Sequence, residues 1–115
     1  MAKDTQPVEI TWSTVLAKDS KDNATATAIA AAGTATQRYY ITGYDFSYSV
    51  GTTAGMLQLL DGATVIWENY MSGRSFINLI QPIRGSLGSS FSAVLSASGT
   101  AGVIGKVDIR GYLSN

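Results

Sequence analysis

The chain has 115 residues, with eight basic residues against eight acidic ones and no His or Cys. Only 14% of it is Asp, Glu, Lys or Arg, against about 25% in an ordinary soluble domain. This inventory excludes a disulfide framework, a zinc site and His- or Cys-based nucleophilic catalysis, and it leaves no basic excess for nucleic acid.

The length predicts one domain, residues 1–115, with residues 1–23 as an N-terminal arm and loop. The start, Met1 to Pro7, has no apolar stretch of the signal-peptide kind, so the expectation is folding in a cytoplasm. No run approaches the roughly 18 apolar residues of a membrane helix.

Val8-Glu9-Ile10-Thr11-Trp12 alternates and predicts a strand with Val8, Ile10 and Trp12 on one face. Ala17 to Asn23 is the most charged stretch and reads as a loop. Its Asp19-Ser20-Lys21-Asp22-Asn23 run is rich in oxygen ligands. The lysine inside it argues against calcium and for a solvated turn. Ala24 to Thr36 mixes alanine with β-branched threonine and predicts a strand of small side chains, one that another sheet could approach closely. A poorly ordered arm is the competing reading.

Gln37 to Val50 is the strongest strand signal and holds Tyr39, Tyr40, Tyr44 and Tyr48. Tyr44, Phe46 and Tyr48 share a face, and Tyr39 and Ile41 join it only if Gly43 is an extra, bulged residue. Met56 to Leu60 and Thr64 to Tyr70 flank Asp61-Gly62-Ala63 and predict a hairpin, because Asp and Gly tolerate positive φ. Met71 to Arg74 reads as a turn, and Ser75 to Ile80 as a strand ended by Pro82. Phe91 to Ser96 follows, with Phe91, Ala93 and Leu95 inward. In the last strand Val103, Val107, Ile109 and Leu113 point one way and Lys106, Asp108 and Arg110 the other. About eight strands with regular turns predict an all-β, single-domain antiparallel β-sandwich of jelly-roll type.

Catalysis finds little to work with. Asp45, Asp61, Glu68 and Asp108 are the carboxylates in or beside strands, and nothing in their spacing selects an acid–base pair. Asp61 reads as a turn former, Asp45 as part of a polar face with Ser47 and Ser49, and Asp108 as half of a cross-strand ion pair. No phosphate-binding glycine pattern occurs, and no catalytic, cofactor or metal residue is assigned. The expectation is a protein that is not an enzyme. The aromatics read either as core and rim packing or as a contact surface for a protein or a sugar. The candidate contact residues are Trp12, Tyr40, Tyr44, Tyr48, Trp67, Tyr70 and Tyr112.

Four segments occur in an order that resembles small bacteriophage virion proteins of the capsid decoration or head-fibre type. They are Arg38-Tyr39-Tyr40-Ile41-Thr42-Gly43-Tyr44-Asp45, Asp61 to Trp67, Pro82-Ile83-Arg84-Gly85, and Gly105-Lys106-Val107-Asp108-Ile109-Arg110-Gly111-Tyr112. The resemblance spans residues 38–113 and implies a jelly-roll-like subunit. It also implies a homotrimer that clamps the outer shell of the major capsid protein, assembled in the host cytoplasm and carried on the virion. The alternative reading of the same aromatics is a receptor- or carbohydrate-binding tip of a tail fibre, with Trp67 and Tyr70 as sugar platforms.

Overall fold

The computed structural model describes residues 13–31, 35–72 and 74–115, with only the backbone at 74 and 75. Eight strands follow in chain order: β1 (Thr14–Asp22), β2 (Ala26–Ala30), β3 (Arg38–Tyr48), β4 (Ala54–Asp61), β5 (Thr64–Ser72), β6 (Arg74–Arg84), β7 (Phe91–Leu95) and β8 (Ile104–Ser114). They form two four-stranded sheets, ordered β1-β8-β3-β6 and β2-β7-β4-β5. All pairs are antiparallel. This interleaving of early and late strands is the jelly roll, two Greek keys folded onto one another. No helix occurs among the described residues, so none there is long and apolar enough to cross a membrane.

The core lies between the inner faces. Phe91, Ile41, Leu57, Leu59, Leu95, Val107 and Ile109 are wholly buried there. Ala26, Ala28 and Ala30 supply the inner face of β2 and are buried too. Their small side chains let β2 fold closely onto the first sheet, against β1 and β8. Tyr39, Ile41, Tyr44, Phe46 and Tyr48 all turn inward from β3. They can do so because the register slips between Ile41 and Gly43; the extra residue of the bulge is Thr42 and not the expected Gly43, which pairs with Arg110. The β4–β5 hairpin turns through Gly62 at φ 60°, with Asp61 opposite Thr64.

Several elements depart from the sequence-based expectation. The charged stretch from Ala17 is not a loop but most of β1, paired along β8 from Thr14 to Asp22. It is an edge strand whose outer face is wet, and charge on an edge opposes unwanted strand pairing. Strand β6 runs through Pro82 to Arg84 rather than ending before it. β5 continues to Ser72 and β6 begins at Arg74, so Met71, Ser72 and Arg74 of the expected turn are strand residues. The expected strand at 8–12, with Trp12, lies outside the described residues.

The two sheets close against each other along β1 and β2. Asp19 fastens this side. Its carboxylate accepts the Thr27 N–H at 3.0 Å and the Ser20 N–H at 2.9 Å, and it lies 3.5 Å from the Lys21 ammonium. The run Asp19 to Asn23, expected as a solvated turn, is therefore strand end and turn, with its first carboxylate occupied by backbone N–H groups.

Candidate functional site

The outer face of sheet β1-β8-β3-β6 carries a groove of about 1090 Å³. Strand register stacks its side chains in transverse rows. One row runs Lys18, Asp108, Asp45, Phe76 from β1 to β6. The row on one side of it holds Ser20, Lys106 and Ser47, and the row on the other side holds Val15, Arg110, Gly43 and Asn78. Beyond that, Tyr112, Tyr40 and Arg84 are register partners.

Two carboxylates face each other at the centre of the groove. Burial pushes the Asp108 carboxyl up to about 6, and the adjacent Asp45 adds to the rise, while Arg110 and Lys106 oppose it. The ion pair expected of Asp108 falls elsewhere: Arg110 Nη2 lies 3.8 Å from Asp45 Oδ2. Gly43 makes room for the neighbouring β6 backbone, since a Cβ there would lie 2.6 Å from the Ile77 carbonyl oxygen, while Arg110 Nη2 would be in ordinary contact at 3.5 Å. Among the described residues, Asp108 Oδ1 and Arg110 Nε and Nη2 are buried and make no hydrogen bond. Phe76 stands 65% exposed beside the acidic pair. The groove thus combines donors, acceptors and one apolar ring, with no nucleophile–base pair among its named side chains.

A second surface lies where the sandwich is open. β5 and β6 are the edge strands on the side away from β1 and β2. Val65, Ile66 and Tyr70 on β5, and Phe76 and Ile80 on β6, all stand in solvent. Tyr70 is 83% exposed. Val65 and Tyr70 face outward from one sheet and Phe76 outward from the other, so the exposed apolar side chains lie along both edges of this side, which makes it a candidate contact site.

The candidate contact residues separate into groups. Tyr44 and Tyr48 are only 6% and 4% exposed and belong to the core of the sandwich. Tyr48 is further tied down by donating its hydroxyl hydrogen to the Ser96 carbonyl at 2.8 Å. Trp67 is half-buried on the inner face of β5 and meets Tyr44 at 5.7 Å between ring centres. It therefore completes the core at the open side rather than offering a sugar platform. Tyr40 and Tyr112 are half-buried on the outer face and stack at 5.1 Å with 13° between their planes. Among the described candidates, Tyr70 alone stands wide open. Trp12 lies outside the described residues.

Sequence reasoning missed Phe76 and the facing of Asp45 on Asp108. Asp61 behaves as the turn former it was expected to be: it accepts the Ser86 N–H at 3.0 Å and holds the loop after β6 to the β4–β5 hairpin.

No protein-family model matches the chain, and no curated protein matches it in sequence. Among solved structures, one similar fold is the "Carbohydrate-Binding Module CBM36 in complex with calcium and xylotriose". It shares 10% identity at a TM-score of 0.45, over 94% of this chain and 92% of that one. Another is the CBM36-1 domain of a multidomain xylanase from the hindgut metagenome of Trinervitermes trinervoides. It shares 9% identity at a TM-score of 0.43, over 85% and 76% of the two chains. Likeness this remote assigns no ligand and no residue role to this chain, whose jelly-roll fold rests on its own strand order.

Proposed function

We propose that this domain is a structural protein of a bacteriophage virion, a decoration subunit that associates with itself and binds the outer shell of the major capsid protein. It catalyses no reaction. The observation that carries this reading is the open β5–β6 side, where large apolar side chains stand in solvent on a domain poor in charge. Apolar side chains exposed in this way mark sites where another protein binds. The order of the four virion-like segments supports the same reading, and the jelly roll is a fold used for shell building. Several weak contacts made at once by a symmetric oligomer hold a shell more firmly than any single one. The test is add-back of purified protein to shells lacking it, followed by sedimentation. Saturable, stoichiometric co-sedimentation is expected, and protein left wholly in the supernatant refutes the reading.

A second reading, a receptor- or carbohydrate-binding tip of a tail fibre, is favoured by one observation. Phe76 lies exposed next to Asp45 and Asp108 in the outer-face groove. A sugar can lay its apolar face on such a ring and share its hydroxyls with carboxylates and a guanidinium. That ligand would sit on Phe76, not on Trp67. A glycan array decides it: binding that disappears in Phe76→Ala supports the tip, and a blank array removes it.

A further inference from the structure

The neutral total of the chain hides an uneven distribution of charge. Among the described side chains, Lys18, Arg38, Arg84, Lys106 and Arg110 all lie on the outer face of sheet β1-β8-β3-β6. The acidic side chains of that face are Asp22, Asp45 and Asp108. Asp22 stands at the far end of β1, where its carboxylate accepts the Gly102 N–H at 2.9 Å. Ionic interactions at a surface fade over about 8 Å in physiological salt. A ligand on this face therefore meets the local excess of positive charge and not the neutral sum.

The charge is also ordered along the strands. In one row, between Lys18 and the open ring of Phe76, Asp108 faces Asp45. Beyond it come Arg110, then Tyr112, Tyr40 and Arg84, then Arg38 opposite Ser114. Side chains on one face of a strand follow one another at about 7 Å. Among the described residues, the zone from Arg110 to Arg38 holds three guanidinium groups and no acidic side chain. Arg84 is exposed and has no ion-pair partner among the described residues. A guanidinium presents paired N–H donors that match a carboxylate in one plane. The face thus sets an acceptor-rich zone with a ring platform beside a zone built for carboxylates.

Polyanions fit these zones unequally. A nucleic acid carries a phosphate at every nucleotide, so some of its charge would fall on Asp45 and Asp108, and its bases need successive open rings. Tyr40 and Tyr112 each spend a ring face on the other, which leaves Phe76 as the open platform. An extended peptide docks on a sheet by pairing with an edge strand, and a sheet face offers it side chains only. A sugar chain with carboxylates on some rings and hydroxyls alone on others meets both zones. We propose that the outer face of the first sheet binds an acidic polysaccharide of that kind, with an uncharged ring on Phe76 giving its hydroxyl hydrogens to Asp45 and Asp108, and a carboxylate held by Arg110 and Arg84. Binding of this kind presupposes the carbohydrate-binding reading given above and narrows it to one class of sugar.

The test is an array probed with the full chain. It carries hyaluronan and uronate-bearing capsular polysaccharides, the same chains as methyl esters, neutral polysaccharides and sulfated dextran, with polyglutamate and oligothymidylate as polyanions of other classes. Binding to the carboxylate-bearing chains that is lost on esterification is expected. Calorimetric titration with the strongest of them then compares variants whose fold is checked by circular dichroism. Arg84→Gln and Arg110→Gln should each weaken binding by about tenfold or more. Lys21→Gln removes the same charge from an exposed position beside the closed side of the sandwich, and binding should be unchanged. Arg84 is exposed, so its variant decides the matter even if Arg110→Gln fails to fold. Neutral chains or methyl esters that bind as well as the acids, or a Lys21→Gln loss as large as that of Arg84→Gln, overturn the acidic ligand and leave the carbohydrate reading standing. Equal binding of sulfated dextran, polyglutamate or oligothymidylate also overturns it. A blank array removes both.

Discussion

Asp45 and Asp108 sit opposite each other on β3 and β8, an arrangement that works against the domain at neutral pH. With its carboxyl raised to about 6 from the ordinary 3.8, Asp108 binds a proton more tightly in the folded chain than in the unfolded one. Stability therefore falls as pH rises through the window between those two values, and it levels off above the higher one. Asp108→Asn removes the penalty. It should stabilise the domain at pH 7 by about 1 kcal/mol, a figure reduced because solvent reaches the groove, and flatten the dependence between about pH 4 and 6. Urea titrations across that range check both outcomes. Asp19 has the opposite sign. The Thr27 N–H is the main cause that holds its carboxyl below the ordinary value, with Ser20 and Lys21 helping against burial. The stability it gives is present above the ordinary carboxylate range and is lost as pH falls through the depressed value. The closed side thus favours neutral pH and the groove favours acid. A pair of like charges retained at a cost in stability is what a groove with a ligand or a partner would keep.

Among the strands, what could be read in advance depended on whether a strand has one buried face. β8 was legible because Val107 and Ile109 alternate with Lys106, Asp108 and Arg110, and the buried set is the apolar one. The bulge in β3 was legible because the aromatic alternation breaks by one residue at Gly43. β1 was not, because Lys18, Ser20 and Asp22 on its outer face and Asp19 and Lys21 beside the closed side leave almost no apolar pattern to find. β6 was read short because proline ends a central strand, whereas at an edge the missing N–H had no partner to lose. The inward turn of Tyr44 and Tyr48 was half visible: their shared parity with Phe46 was plain, but which face of the sheet meets the other sheet is a long-range fact. The same holds for Asp45 opposite Asp108 and for Phe76 beside them, since register between strands far apart in sequence is set by the whole fold. The centre of the sandwich is the firmest part of that fold. Leu59 on β4 is 1% exposed and opposite both Ala93 and Trp67. Leu59→Ala should lower unfolding stability by about 3 kcal/mol, through lost burial and the cavity left behind. Chemical denaturation measures it, and a loss under about 1 kcal/mol would mean that Trp67 moves in to fill the space.

At the scale of the whole molecule, one side of the sandwich is sealed and the other is open. The sealed side is local, since β1 and β2 are joined by a short turn at Asn23, whose N–H reaches the Val103 carbonyl at 3.0 Å. The open side leaves Trp67 as the last core ring before solvent, backed by Tyr44. A neighbour seated there would complete the core as well as bury the flanks, so self-association and fold stability should rise and fall together. Strand order has one more consequence. β1 and β8 are adjacent and antiparallel, with Thr14 opposite Gly111, so the described chain enters and leaves at the same end of the sheet. Tension applied through the two termini therefore loads the ladder of hydrogen bonds between β1 and β8 one rung after another, like a zip, instead of shearing all of them together. A subunit anchored by both tails would yield to modest force. One gripped by its flanks would leave that seam unloaded.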